Sequence, residues 1–317
     1  MNANDAVRPA PGGGVWRMLS VYARLGNVKV YFQWIPVVVG WSLVAHPFGL
    51  SSAQVVALLL FIVATIAMGC SAGTLDDVQG FRDGLDQRTY AGDDTLRPTS
   101  GKPLVLGEIS EQGAYRFAMA IGVVGACLGV AAALVSPHHP LWLIALVLFT
   151  AYASTQYSYG TCLSYHGAGE LLLGYLMAAV LLMPVIALEG GVSATGWFQA
   201  YLVGAMQSQV TIFSSSYDAD DDRAARRMTP AARLTPKANR RFIAAVFLVT
   251  WMITAVGFAT GALDRWLLVA LLPMWVLQVG QLVRGVGQAR WLDARFLGWR
   301  AFDAGIVALV VVNLLAH

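Results

Sequence analysis

Nine long apolar runs leave this chain few folds to choose from. They read Tyr31–His46, Ala53–Thr74, Arg116–Val135, Leu141–Tyr159, Gly169–Leu188, Trp197–Phe213, Phe242–Ala259, Trp266–Val283 and Ala301–Leu315. Crossing the hydrocarbon of a bilayer takes about 20 apolar residues, and with no water there to satisfy the backbone each run must be helical. Of 317 residues, 57% are hydrophobic and 12% charged, too few polar side chains to coat a soluble globule. The expectation is an all-α integral membrane bundle of nine transmembrane helices.

The basic residues orient it. Lys and Arg are held on the cytoplasmic side, and 20 of the 21 fall in the amino-terminal arm or in the links after runs two, six and eight, leaving only Arg265 opposite. A multi-pass protein of the cell membrane follows, with its amino terminus cytoplasmic and its carboxyl terminus outside. The net charge of +3 matters through this one-sidedness, which suits anionic lipid and an anionic ligand; no nucleic-acid partner is suggested. Residues 1–27 read as a cytoplasmic arm, with no cleavable signal and a short interfacial helix at Val15–Leu25, and 28–317 as the transmembrane domain. Cys70, Cys127 and Cys162 lack CxxC spacing and read as packing residues, and His138 and His139 as an outer turn.

Two acidic clusters interrupt this apolar chain. The first, LDDVQGFRDGLD, runs from Leu75 to Asp86; the second lies in SSSYDADDDRAARRMTPAARL, Ser214 to Leu234. In the second, Asp218, Asp221 and Asp222 stand at i, i+3 and i+4 and share a helix face, while Asp220 points elsewhere. In the first, Asp76 and Asp83 are two turns apart on one face, with Asp77 and Asp86 to the sides. Carboxylates this dense need a cation, and magnesium, which prefers carboxylate oxygens and bridges to phosphates, is the natural candidate. The loop after the first cluster adds Arg97 and Lys102, cations suited to hold a phosphate. A transport pathway would also place acids in a membrane, but nearer its midplane than these helix ends. A phosphatidyl-transfer enzyme would carry a DGxxAR run, whereas LDQ follows Asp83 and Gly84.

Taken together these motifs resemble the UbiA superfamily of intramembrane prenyltransferases, over nearly the whole chain. The family's first motif approximates NDxxDxxxD followed by RPxxSG, and here LDDVQGFRDG precedes RPTSGKP. Its second approximates DxxxD before a basic turn, and here DADDDRAARRMT stands in that place. SYHGAGEL, Ser164 to Leu171, looks like the YxGxGEL run of the quinone-forming branch. Two registers fit the first motif: one on Asp76 and Asp83, the other on Asp77 with Gly84 and Asp86. The opening Asn is missing, and QYSYGTC from Gln156 to Cys162 lacks the cation that often precedes the third run.

The resemblance implies nine helices around a central cavity. It further implies two magnesium ions, held by Asp76, Asp83, Asp86, Asp218, Asp221 and Asp222, on the diphosphate of an isoprenoid. Asp76, Asp77, Asp83, Asp218 and Asp222 form the implied catalytic set, and Arg97, Lys102 and Arg227 neutralise the leaving group. The allylic cation so formed needs a dry cavity with aromatic faces, for which Tyr31, Trp34, Tyr157, Tyr159, Phe213 and Tyr217 are the candidates. Glu170 is placed to orient or deprotonate an acceptor, or to cap its helix. The prenyl group passes to an aromatic acceptor or, in the family's terpene-cyclase branch, to a double bond of its own chain.

Overall fold

The computed structural model describes residues 14–27, 31–89 and 101–316, and among them every regular element is a helix. In chain order these are α1 (Val15–Leu25), α2 (Ile35–Ser42), α3 (Ser52–Arg82), α4 (Leu85–Thr89), α5 (Glu111–Val135), α6 (Leu141–Thr155), α7 (Gly169–Glu189), α8 (Ala194–Tyr217), α9 (Ala219–Ala224), α10 (Pro230–Arg233), α11 (Pro236–Ala259), α12 (Trp266–Ala270), α13 (Leu272–Leu282) and α14 (Trp291–Leu315). Their starts follow from local chemistry. The hydroxyls of Ser51, Ser110, Ser193, Thr229 and Thr235 accept backbone N–H groups at the heads of α3, α5, α8, α10 and α11. Proline opens α2, α10, α11 and α13, where a missing N–H costs nothing.

Five helices, α3, α5, α7, α11 and α14, are long and apolar enough to cross a membrane, and α6 is a shorter apolar helix. α8 has 24 residues, but Gln199, Gln207, Gln209 and three consecutive serines dilute its apolar character. Several expected boundaries move. Only eight residues of the first run are α-helical, since Pro36 confines the helix start and the chain turns at Leu43. The run expected over Trp266–Val283 divides at Leu271, ahead of Pro273, and passes into a π turn over Val283–Gly287. α3 continues past Thr74 to Arg82, and α14 begins at Trp291, ten residues before the apolar run.

Neighbours in sequence pack as neighbours in space: α3 on α5, α5 on α6, α6 on α7, α7 on α8, α8 on α11 and α13 on α14. α14 then returns to α8 and α2, which itself lies on α7. α7 is the axis: 78% of its apolar window is buried, against 28% for α5 and for α11, which face outward. Backbones meet there without side chains between them. A Cβ on Gly204 would stand 2.5 Å from the Gly174 carbonyl oxygen, and one on Gly40 would stand 2.4 Å from that of Leu181. Since lipid is as apolar as leucine, such close approach and buried polar clamps drive helix association in a bilayer. One clamp joins α14, α2 and α8: Asn313 Nδ2 donates to Ser42 Oγ and Gln199 Oε1, both at 2.9 Å, and Gln199 Nε2 returns a bond to Asn313 Oδ1 at 2.7 Å. Another joins α11, α13 and α8 through Trp251, Gln278 and Gln209. Gly204→Val is expected to push α8 off α7 and cost about 2–3 kcal/mol by overpacking, seen as a fall of several degrees in the melting temperature of the detergent-purified protein.

Candidate active site

Three segments meet at one end of the bundle. α3 carries Asp76 and Asp77 in its last two turns and is closed by Asp83; Gly84, at φ +74°, then reverses the chain into α4, which carries Asp86. α8 ends at Asp218, which also opens α9. Arg226, in the left-handed region at φ 59°, precedes Arg227, whose N–H returns to the Asp222 carbonyl at 2.8 Å. Between α6 and α7, a turn with positive φ at Gly160, Cys162 and Gly167 presents Tyr157, Ser158 and Tyr165. It is stitched to the second acidic segment by the Met228 N–H, which donates to the Tyr165 carbonyl at 3.1 Å.

Arg227 joins all three. Its Nη2 lies 3.5 Å from Asp76 Oδ1 and donates to the Tyr157 hydroxyl at 3.1 Å, and its Nε is 3.9 Å from Asp222 Oδ1. Its guanidinium also stands over the rings of Tyr157 and Tyr165, 5.5 and 5.4 Å from their centroids. Ser158 donates to Asp76 at 2.5 Å, Thr229 to Asp222 at 3.1 Å, and the Tyr165 hydroxyl to Asp83. Burial works against the Arg227 charge, but Asp76 and Asp222 outweigh it and hold the group protonated. Beneath this cluster opens a cavity of about 680 Å³. Asp76, Asp77, Lys102 and Arg295 line its polar side, and Phe32, Thr65, Met68, Leu173, Leu176, Met177, Val180 and Trp299 its apolar side.

The sequence profile of the UbiA prenyltransferase family matches residues 33–300. The chain belongs to that family. None of the curated proteins matches it in sequence. Among solved structures, it is similar to one described for the biosynthesis of digeranylgeranylglyceryl phosphate synthase in membranes, at 14% identity and a TM-score of 0.68, covering 94% of this chain and 99% of that one. A UbiA homolog from Archaeoglobus fulgidus bound to DMAPP and Mg2+ is 15% identical, with a TM-score of 0.62 over 91% of this chain and 98% of its own. The apo UbiA homolog from Aeropyrum pernix K1 is 16% identical, with a TM-score of 0.60 over 95% and 98%. At these identities the likeness shows a common fold. This UbiA chain is thus an all-helical, multi-pass membrane protein.

The expected site residues divide within that fold. Asp76, Asp83, Asp222 and Arg227 converge, with Asp218 one helical turn before Asp222. Asp220 is exposed and pairs with Arg223 at 2.6 Å, and Asp221 is partly exposed. Asp77 and Asp86 instead surround Lys102, whose Nζ lies 2.7 Å from Asp77 Oδ1 and 2.9 Å from each Asp86 oxygen. Lys102 is therefore bound to carboxylates where the sequence reading gave it to a phosphate. Arg97 lies outside the described residues, as does the side chain of Tyr31. Glu170 is buried on the first turn of α7, held by Ser215 through Oε1 at 2.8 Å, with Oε2 unpartnered.

Of the expected aromatic wall, Tyr157 lines the cavity. Phe213 does not: it is fully buried in a separate cluster against Phe247 and Trp291, while Val210, Thr211 and Ser214 of the same helix are on the wall. Tyr159 turns to Tyr115, hydroxyl to hydroxyl at 2.9 Å, and Trp34 and Tyr217 are half-buried outside the lining. In their place stand Phe32 and Trp299, stacked at 4.8 Å between centroids. Sequence reasoning also missed Gln33, Gln207, Tyr165 and Arg295. Gln33 and Gln207 carried a signal as amides in apolar runs, and Tyr165 as the tyrosine of the SYHGAGEL run.

Burial pushes the carboxyls at this end upward: Asp218 to about 7, with Asp222 beside it adding to the rise, and Asp222 and Asp86 each to about 6. A carboxyl raised in the folded state binds its proton more tightly there than when unfolded, so ionising it on going from about pH 4 to 7 costs stability. The metal-free protein is expected to melt at progressively lower temperature from pH 5 to pH 8, and added Mg2+, which favours the charged forms, to raise the melting temperature more at pH 8 than at pH 5. Thermal unfolding in detergent, with and without MgCl2, reads both.

Proposed function

We propose that the chain ionises an isoprenoid diphosphate with the help of magnesium and transfers the prenyl group to an aromatic acceptor within the membrane. The observation that carries this reading is Arg227, a buried cation held between the two acidic segments at the head of an apolar cavity. The Archaeoglobus fulgidus homolog, described with DMAPP or GPP and Mg2+, supports both ligand classes. So does the donor set here, which is all oxygen and includes a buried, unpartnered Asp218 Oδ1. Among the described residues no three acidic or metal-ligating side chains close on one point. That suits an ion that keeps water and phosphate oxygens in its shell. Asp76, Asp83, Asp218 and Asp222 are the residues that would hold it. When bound, magnesium supplies positive charge against the diphosphate as it departs.

The chain's own residues do the rest. Arg227 donates to the leaving diphosphate from a position already fixed by Tyr157 and the Asp222 turn, so no reorganisation is spent at that moment. The C–O bond to the diphosphate breaks, and the allylic carbon faces an apolar wall from which water is excluded. The Phe32–Trp299 pair and Tyr157 offer π faces to the cation. A ring carbon of the acceptor then supplies the electrons of the new C–C bond, and the ring proton passes to an oxygen of the released diphosphate. Glu170, held by Ser215 and outside the lining, acts as a positioning residue.

Transfer is favoured over cyclisation by two amides on the cavity wall. Gln33 Oε1 and Gln207 Oε1 are buried acceptors with no partner, and the Gln33 amide fits only because residue 69 is glycine, where a Cβ would lie 2.4 Å from it. A hydrocarbon chain leaves them unsatisfied at a cost, whereas a hydroxylated acceptor satisfies them. By helical rise, Gln207 lies about 16 Å along α8 from Asp218, deep in the cavity. The one-sided basic links support a cytoplasmic head for this cavity, with the carboxyl terminus outside.

The test is an assay of the purified protein with Mg2+ and prenyl diphosphates, with and without hydroxylated aromatic acids, following diphosphate release and product mass. Prenylated acceptor is expected, and Asp218→Asn or Arg227→Met is expected to lower kcat/KM by about 100-fold or more. Cyclic hydrocarbon formed without acceptor would reverse the assignment in favour of cyclisation. Gln207→Leu is expected to raise the acceptor KM by about tenfold through one lost hydrogen bond, with the KM for the prenyl diphosphate unchanged.

A further inference from the structure

The first acidic segment does not present its four carboxylates together. Asp76 and Asp83 face Ser158, Tyr165 and Arg227. Asp77 and Asp86 face Lys102, and the side chains of Lys102, Asp77 and Asp86 are 6, 4 and 8% exposed. An ammonium has three donors, and here three carboxylate oxygens lie within 2.7 to 2.9 Å of it. The arrangement is built by the backbone. Gly84 turns the chain so that α4 lays Asp86 back against α3, and Gly80 makes the space, since a Cβ there would stand 3.0 Å from the Asp86 carboxyl. The oxygens are also spaced for an ammonium, since magnesium draws its ligands to about 2.0–2.1 Å. Removing Lys102 would leave two buried carboxylates uncompensated, which is costly.

We propose that Lys102 is a tethered cation occupying the position between Asp77 and Asp86 that a divalent ion would otherwise take, so that this chain binds one divalent ion per diphosphate, on the side of Asp76, Asp218 and Asp222. The inference rests on the metal-dependent reading above and sets its stoichiometry. Lys102 then serves the reaction as fixed charge within the acidic end, and the second segment with Asp76 carries the exchangeable metal.

Counting ions tests it directly. The full chain in detergent is titrated with Mn2+ in the presence of a prenyl thiolodiphosphate, which resists ionisation, and bound metal is read by calorimetry and electron paramagnetic resonance. The wild-type protein is expected to bind one Mn2+ with an isolated-ion spectrum. Lys102→Met is expected to double the count and give the broadened spectrum of a spin-coupled pair. Two coupled ions in the wild type, or a count still at one in a folded Lys102→Met, would overturn the inference and leave the metal-dependent reading standing. No bound Mn2+ at all would remove both. The wild-type count needs no variant, so a Lys102→Met protein that fails to fold leaves it decisive.

Discussion

The buried guanidinium of Arg227 is the interaction on which the functional end depends. An isolated charge there would be expelled or neutralised; this one persists because Asp76 and Asp222 flank it and two tyrosine rings face it. The partners come from three segments: Asp76 from the end of α3, the tyrosines from the α6–α7 turn, and Asp222 from α9. The ion pair therefore fixes distances that no single helix could. Lys102 does the same for α3 and α4, so that each acidic segment meets a cation of the chain's own before any ligand arrives. Exchange of partners, more than creation of charge, is what binding an anionic substrate with its metal requires.

Beneath that polar end the bundle relies on close backbone contact. α7 is nearly wholly enclosed, and α8 and α2 approach it at glycine. Packing of this kind leaves little slack, which suits the dry cavity that the proposed reaction calls for. The amides at Gln33 and Gln207 are the exception within it. Unpartnered acceptors in an otherwise apolar wall are costly to keep, and such cost is usually tied to a ligand.

Much of this was legible in the sequence. The apolar runs located the helices, and the aspartates at the ends of two of them located the site, because ionisable groups are rare in such surroundings. Boundaries failed where tertiary contacts overrode local signals. The second apolar run stops at Thr74, yet α3 continues through Gly80, whose missing side chain lets Asp86 approach. Arg295 reads as a loop charge, yet it lies within α14 and its Nε donates to Ser214 at 2.7 Å. Phe213 reads as cavity aromatic, but one position along a helix is a turn of about 100° and reverses its exposure. Lys102 reads as a phosphate ligand because sequence gives its charge and neighbourhood, not which of two anions it reaches.

The clamp at Asn313 bears on how the protein comes into being. Its bond to Ser42 spans 271 positions of sequence, so α2 waits for the last helix of the chain before this contact can form. Until α14 leaves the ribosome, Ser42 and Gln199 must find other partners or water. Completion of the cavity wall is thus a late event in synthesis, and a chain stopped before its final helix would lack the side of it that Arg295 and Trp299 supply.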